Sequence, residues 1–201
     1  MLIQYREPLN SNELEALFRL RHLVYSEDAH LNSMIQKTSP YDINGFDLQS
    51  LHFGAFENGK AIAYIRITTV LETHFTKWVK EILFKNNIAT KTSSSLFPFQ
   101  SYYPDLNWGI DFISSLEGRK TGEVGKLAIH KDYRKAGVIL SGLIESFIDY
   151  CKNEQKIETG FGSCALKLAR YYRKFGFTPA SGAKSFIYEK LPEAVIMRFD
   201  K

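Results

Sequence analysis

The stretch GKLAIHKDYRKAGVILSGLIESF, residues 125–147, holds the residue types most suited to chemistry. A strand-like run meets a basic, glycine-containing turn that opens a helix. The first N–H groups of a helix have no partner within it, and the helix dipole adds positive potential, so such a turn can hold a phosphate. Arg134 and Lys135 would add charge there, and Gly137 would let a ligand approach the backbone closely. A purely structural helix start has the same pattern. Other chemistries find less support. Cys151 and Cys164 lie far from any C-x-x-C spacing, which leaves neither a zinc site nor a disulfide framework. His52 and His130 have no evident nucleophile beside them, and no G-x-S-x-G turn marks a serine hydrolase.

The chain has 201 residues, 44% hydrophobic, 14% aromatic and 24% charged, with 26 basic and 22 acidic side chains and a formal charge of +4. These are globular values, and a core of this size needs no staple. Arg119, Lys120, Lys126, Lys131, Arg134 and Lys135 crowd one short stretch against Glu123 and Asp132, a bias that suits a phosphorylated or acidic partner. Nucleic acid is disfavoured: there is no Arg-rich arm, no aromatic RNA-binding signature and little overall excess. No apolar run approaches a membrane span and no signal-peptide pattern opens the chain, so the expected setting is the cytoplasm.

The positioning elements follow from periodicity. Residues 2–7 alternate as a strand, and Asn12 with Glu15 suggests a capping box for a helix whose inner face runs Leu14, Leu17, Phe18, Arg21, Tyr25. Residues 26–49 read as loop. The runs 50–56 and 60–70 flank Asn58-Gly59, the mark of a tight hairpin. A strand is expected over 122–133, a helix through Val138, Leu143 and Phe147, a strand over 157–163, a helix over 165–175 closed by Gly176, and a final strand pair within 177–199. Between them, 71–122 is a long insertion with one helix and many aromatics, among them Phe75, Trp78, Phe97, Phe99, Tyr103 and Trp108. It reads either as a lid lining a pocket for a long apolar group or as an extension of the core. One domain, 1–201, accounts for the chain.

Arg134-Lys135-Ala136-Gly137-Val138-Ile139, followed by the helix end Tyr172-Arg173-Lys174-Phe175-Gly176-Phe177, resembles the GNAT superfamily of N-acetyltransferases, which carries an R/Q-x-x-G-x-G/A turn and a Y-x-x-x-G-F helix end in this order. Ile139 stands where the family keeps a small residue. Further toward the N-terminus, Arg21-His22-Leu23-Val24-Tyr25, Asp42, Asp47, Ser50-x-His52, Arg66 and Glu123-x-x-Lys126 look like the layout of N-acyl amino acid synthases and acyl-homoserine-lactone autoinducer synthases. Lys126 replaces their arginine, keeping the charge without the planar fork.

The resemblance implies a GNAT-like α/β (α+β) fold, with a mixed, mainly antiparallel sheet of about seven strands flanked by helices. It implies an N-acyltransferase that moves an acyl group from a coenzyme A thioester, or from an acyl carrier protein, to a small-molecule amine such as an amino acid. No metal is implied. Glu123 would be the base and Tyr172 the acid that protonates the departing thiolate. Backbone N–H groups of Leu127, Ala128 and Ile129 would face the oxyanion. Arg134, Lys135, Ala136, Gly137, Val138 and Ile139 would hold the carrier's phosphates, and Arg66 and Lys126 the acceptor. Arg21 and Asp47 would pair to lock the first helix over the acceptor pocket. A catalytically silent acyl-CoA-binding sensor and a protein-lysine acetyltransferase are the alternatives. The sequence leaves the oligomeric state open.

Overall fold

A computed structural model describes residues 2–28, 31–32, 35, 39–90, 95–102, 112–116, 118–135, 137–180, 185–187 and 193–201. Strand β1 (Ile3–Arg6) leads to helix α1 (Ser11–Ser26), and a 3-10 turn (Gly45–Gln49) delivers the chain to β2 (Ser50–Glu57) and β3 (Lys60–Thr68). Asn58 and Gly59 both take positive φ, 50° and 79°, giving the tight hairpin expected from their identities. Helices α2 (Thr76–Lys85) and α3 (Pro98–Tyr102) precede β4 (Thr121–Val124) and β5 (Ala128–Ile129). Helix α4 (Val138–Asp149), β6 (Thr159–Ala165), α5 (Leu166–Tyr172), β7 (Thr178–Pro179) and β8 (Ala194–Asp200) follow, with 3-10 turns at Lys131–Tyr133 and Arg173–Phe175 and a π-helical turn at Tyr150–Glu154.

The strands form one sheet in the order β1-β2-β3-β4-β6-β8-β7, with β5 also on β3. Every described pairing is antiparallel except β4 with β6. This is the mixed α/β architecture expected, and eight short strands take the place of about seven. Beyond its first residue β3 is buried along its whole length, because helices and loops cover both faces of the sheet there. Leu14 and Phe18 of α1, Phe53 and Ile65 of the hairpin, and Leu143 and Phe147 of α4 belong to the main core. Among the described residues no helix is long and apolar enough to cross a membrane.

Three expectations change. The cap of α1 is Asn10, whose side chain accepts from Glu13 N–H at 3.0 Å, not Asn12. Glu15 is unavailable for capping because it accepts from Tyr41 at 2.6 Å and from Lys85 at 3.0 Å. The expected strand 122–133 is broken: Val124 pairs with Ile67 and Ala128 with Tyr64, so the chain bulges over Gly125–Leu127. The segment 71–122 divides. Phe75, Val79 and Ile82 join the main core. Phe97, Phe99, Phe112, Ile113 and Leu116 instead build a second core with Phe161, Phe186 and Ile196.

Candidate active site

The bulge positions the site. Strands β4 and β6 pair only from Thr121/Thr159 to Glu123/Phe161. At the next residue they still touch: a Cβ on Gly162 would stand 2.3 Å from the Val124 carbonyl oxygen, so that position needs glycine. Beyond it β6 stays with β8 while β4 swings away. A cavity of about 480 Å³ lies along this parting, walled by Gly125, Lys126 and Leu127 on one side and Ser163, Cys164 and Ala165 on the other. Ile65, Ile144, Phe147, Phe177 and Met197 supply apolar wall, and Arg66, Glu123, Lys126 and Tyr172 are among its polar groups, beside Tyr25, Asp28, Thr68 and Lys167. Four residues singled out for chemistry therefore meet in one space.

Glu123 is 7% exposed, and its Oε2 accepts from the Phe99 N–H at 2.7 Å. Burial pushes its carboxyl up to about 8, against the opposing pull of that N–H and of Arg66. A carboxyl poised there exchanges a proton near neutral pH. Lys126 Nζ reaches both oxygens of Asp42, at 3.0 and 2.7 Å, and burial brings its ammonium down to about 8 despite Asp42. The Tyr172 hydroxyl is pushed above its ordinary value by burial, so it keeps its proton and can donate it.

Arg66 is joined through Nη1 to Asp47 and Asn44, and its buried Nε has no partner among the described residues. Asp47 also receives both terminal nitrogens of Arg21, each at 2.8 Å, which is the expected pair locking α1. Arg21 Nε reaches Asp42 at 2.9 Å, so one charge network runs from α1 to Lys126. The two arginines hold Asp47 well below the usual carboxylate range against the opposing effect of its burial. His52 completes the network. Its Nε2 faces the Asp47 carbonyl oxygen, an acceptor only, at 3.1 Å, so Nε2 carries the hydrogen and Nδ1 accepts from Tyr64 at 2.8 Å. Burial drops this imidazole to about 3, and it is neutral.

The other expected residues divide. Leu127 lines the cavity, whereas Ala128 and Ile129 are paired in the ladder with Tyr64 and Ala63. His130 N–H donates to Ile62 and donors alternate along an antiparallel strand, so the Ala128 N–H turns toward β3 rather than into the cavity. Gly137 takes φ 68° and opens α4 as expected. Val138 is 64% exposed, but Ile139 is buried in the main core, so its bulk is directed away from the turn's outer surface. Arg134 and Lys135 are exposed, and Arg134 Nε donates to the Ile129 carbonyl at 2.9 Å. Ala136, Tyr103 and Trp108 lie outside the described residues.

The basic stretch does not gather at the turn. Lys126 is turned inward, Lys131 faces Glu27 at 3.5 Å, and Arg119 and Lys120 precede β4 at its other end. Sequence reading missed a strip that lies on and just after α5: Lys167, Arg170, Arg173 and Lys174 are all exposed, with no acidic residue from 165 to 177. Helical spacing within LKLARYYRK was the signal for it. The aromatic insertion also contributes little to the described wall. Pro98 is its residue there, while most of the apolar lining comes from β3, α4 and β8. Among the described residues no group of His, Cys, Asp and Glu could hold a metal ion.

A family model described as N-acyl amino acid synthase FeeM matches residues 16–200. No curated protein sequence matches the chain. Among solved structures, FeeM, an N-acyl amino acid synthase from uncultured soil microbes, superposes with a TM-score of 0.62 at 16% identity, over 99% of this chain and 91% of that one. An acyl-CoA N-acyltransferase from Pseudomonas aeruginosa gives 0.56 at 17% identity, over 99% of each chain. The CoA-dependent acyl-homoserine lactone synthase BjaI gives 0.60 at 13% identity, over 99% of this chain and 82% of that one. The shared architecture is the GNAT acyltransferase fold.

Proposed function

Since the chain belongs to the FeeM family of N-acyl amino acid synthases and is an N-acyltransferase, we propose that it joins the acyl group of a coenzyme A thioester to the amino group of a small amino acid-like acceptor. The supporting observation is the meeting of Glu123, Lys126, Arg66 and Tyr172 around the cavity where β4 leaves β6. An α-ammonium of pKa near ~7.7 must lose a proton before it attacks. Glu123 takes that proton, directly or through one water. The amine adds to the thioester carbonyl, and the N–H of Leu127 in the bulge faces the oxyanion, Ala128 and Ile129 serving to fix the bulge. Collapse breaks the C–S bond, and Tyr172 gives its proton to the thiolate. The products are an amide and a free thiol.

Lys126 and the unpartnered Nε of Arg66 suit the acceptor's carboxylate, and the turn 134–139 suits the pyrophosphate of coenzyme A. The basic strip on and after α5 favours a second donor, the phosphopantetheine thioester of an acidic acyl carrier protein. A cytoplasmic setting supplies both donors, and residues 1–201 act as one acyltransferase unit. The test is mass spectrometry after incubation with dodecanoyl-CoA and the proteinogenic amino acids. The expected result is an N-dodecanoyl amino acid together with free coenzyme A. Bound dodecanoyl-CoA with no amide product would leave a sensor instead. Faster acylation of lysine peptides than of any free amine would make it a protein acetyltransferase-like enzyme.

A further inference from the structure

The second core is built around the strand neighbour of Glu123. Phe161 is paired in register with Glu123, and its ring meets Phe97 at 5.2 Å and Phe112 at 5.6 Å, both nearly perpendicular. Phe99 is 1% exposed and meets Phe186 at 6.0 Å, edge to face. Phe186 is itself clamped to β8, exchanging backbone hydrogen bonds with Ala194 at 2.9 and 2.8 Å. Between Phe97 and Phe99, Pro98 forms part of the cavity wall, as does Phe186. The N–H of Phe99 is in the first turn of α3, where no carbonyl of the helix can receive it. Pro98 has no N–H, and the Phe97 N–H is taken by Gln100 Oε1 at 3.2 Å. The Phe99 N–H therefore goes to Glu123, a residue 24 positions away in sequence.

We infer that Phe99 is a positioning residue for the reaction: its backbone N–H aims the Glu123 carboxylate into the cavity, and the second core, through Phe186, holds that N–H in place. The inference rests on Glu123 being the base. It assigns a role to the aromatic insertion other than lining an acyl tunnel. A donor fixed in a packed core restricts the carboxylate to one orientation, and misplacing a reacting group by about 1 Å can cost ~100-fold in rate. The same N–H favours the ionised carboxylate, so its removal must shift the proton equilibrium of Glu123 toward the protonated form.

Phe99→Leu keeps the N–H and an apolar side chain, whereas Phe99→Pro removes the N–H in the first turn, where no hydrogen bond within the helix is lost. Thiol release from dodecanoyl-CoA with mixed proteinogenic amino acids is followed against pH for both. Phe99→Leu is expected to keep the acid limb of kcat/KM. Phe99→Pro is expected to lower kcat at least 10-fold, with KM for dodecanoyl-CoA unchanged within about twofold, and to move the acid limb up by about one pH unit. Identical acid limbs in the two variants overturn the inference. If Phe99→Pro does not fold, amide hydrogen exchange decides. The Phe99 N–H is expected to exchange at least 10-fold faster in Glu123→Ala than in the unaltered chain, and an unchanged rate overturns the proposal. A Glu123→Gln variant with undiminished activity would overturn the base assignment itself. A dead Glu123→Gln beside an unmoved Phe99→Pro limb would overturn this inference alone.

Discussion

Glu123 and Lys126 stand three residues apart across the β4 bulge, border one cavity, and are driven by burial in opposite directions to the same value, about 8. Glu123 becomes a base only as pH rises through its value, and Lys126 loses its charge as pH rises through its own. The expected kcat/KM profile is a narrow bell with its maximum near pH 8. Arginine stays charged throughout, so Lys126→Arg should keep the acid limb and abolish the alkaline one. Rates from pH 6 to 10 for the two proteins check this, and an alkaline limb that persists in Lys126→Arg would remove Lys126 from the profile.

The same carboxyl sets a stability term. Its folded value of about 8 lies above the 4.5 of an unperturbed glutamate, so the folded chain holds a proton that the unfolded chain has released between those values. Stability from this group is present below about pH 4.5 and is lost as pH rises toward 8. Glu123→Gln keeps an acceptor for the Phe99 N–H and has no proton to lose. Its Tm should match or exceed that of the unaltered chain by a margin that widens from pH 5 to 9, as the underlying difference in unfolding free energy grows to several kcal/mol. Thermal melts across that range give the answer.

How much of this was legible in the sequence depended on how local each signal was. Asn58-Gly59 and Gly137 each fix a turn through their own backbone preferences, so adjacent residues sufficed. Asn10 with Glu13 and Asn12 with Glu15 fit the same capping pattern. Only the contacts of Glu15 with Tyr41 and Lys85 decide between them, and those are long-range. The Arg21–Asp47 pair was reached through family resemblance, since a separation of 26 positions carries no spacing rule. Lys126 with Asp42 and Phe99 with Glu123 were not reached at all. Apolar content likewise could not reveal that 71–122 would divide between two cores.

Asp47 is fully buried and pairs with both Arg21 and Arg66, with Asp42 sharing the charge of Arg21. Removing one partner of such a network leaves uncompensated charge, at a cost of about 3–5 kcal/mol. Asp47→Asn should therefore lower Tm by roughly 10 °C at pH 7. Its carboxyl lies below the unperturbed 3.8, so its contribution is present above that value and fades as pH falls further. The gap in Tm between the two proteins should close in strong acid, as circular dichroism melts would record.

The apolar cavity wall formed by Ile65, Ile144, Phe147, Phe177 and Met197 should reward longer acyl chains. Each buried methylene is worth ~0.8 kcal/mol, about fourfold in affinity. Across acetyl, butanoyl, octanoyl and dodecanoyl-CoA, KM should fall stepwise until the cavity is filled. Equal turnover of acetyl-CoA and dodecanoyl-CoA would show that this wall does not receive the chain.

In the proposed reaction Glu123 takes a proton from an amine that then attacks a thioester. Its most direct test is amine-dependent thiol release from dodecanoyl-CoA, measured at pH 8 for the unaltered chain and for Glu123→Gln. Release is expected only when an amino acid is present, with formation of the matching N-acyl product and a loss of about 100-fold or more in Glu123→Gln with donor binding retained. Release at an equal rate in both proteins, or donor binding with no release in either, would contradict it.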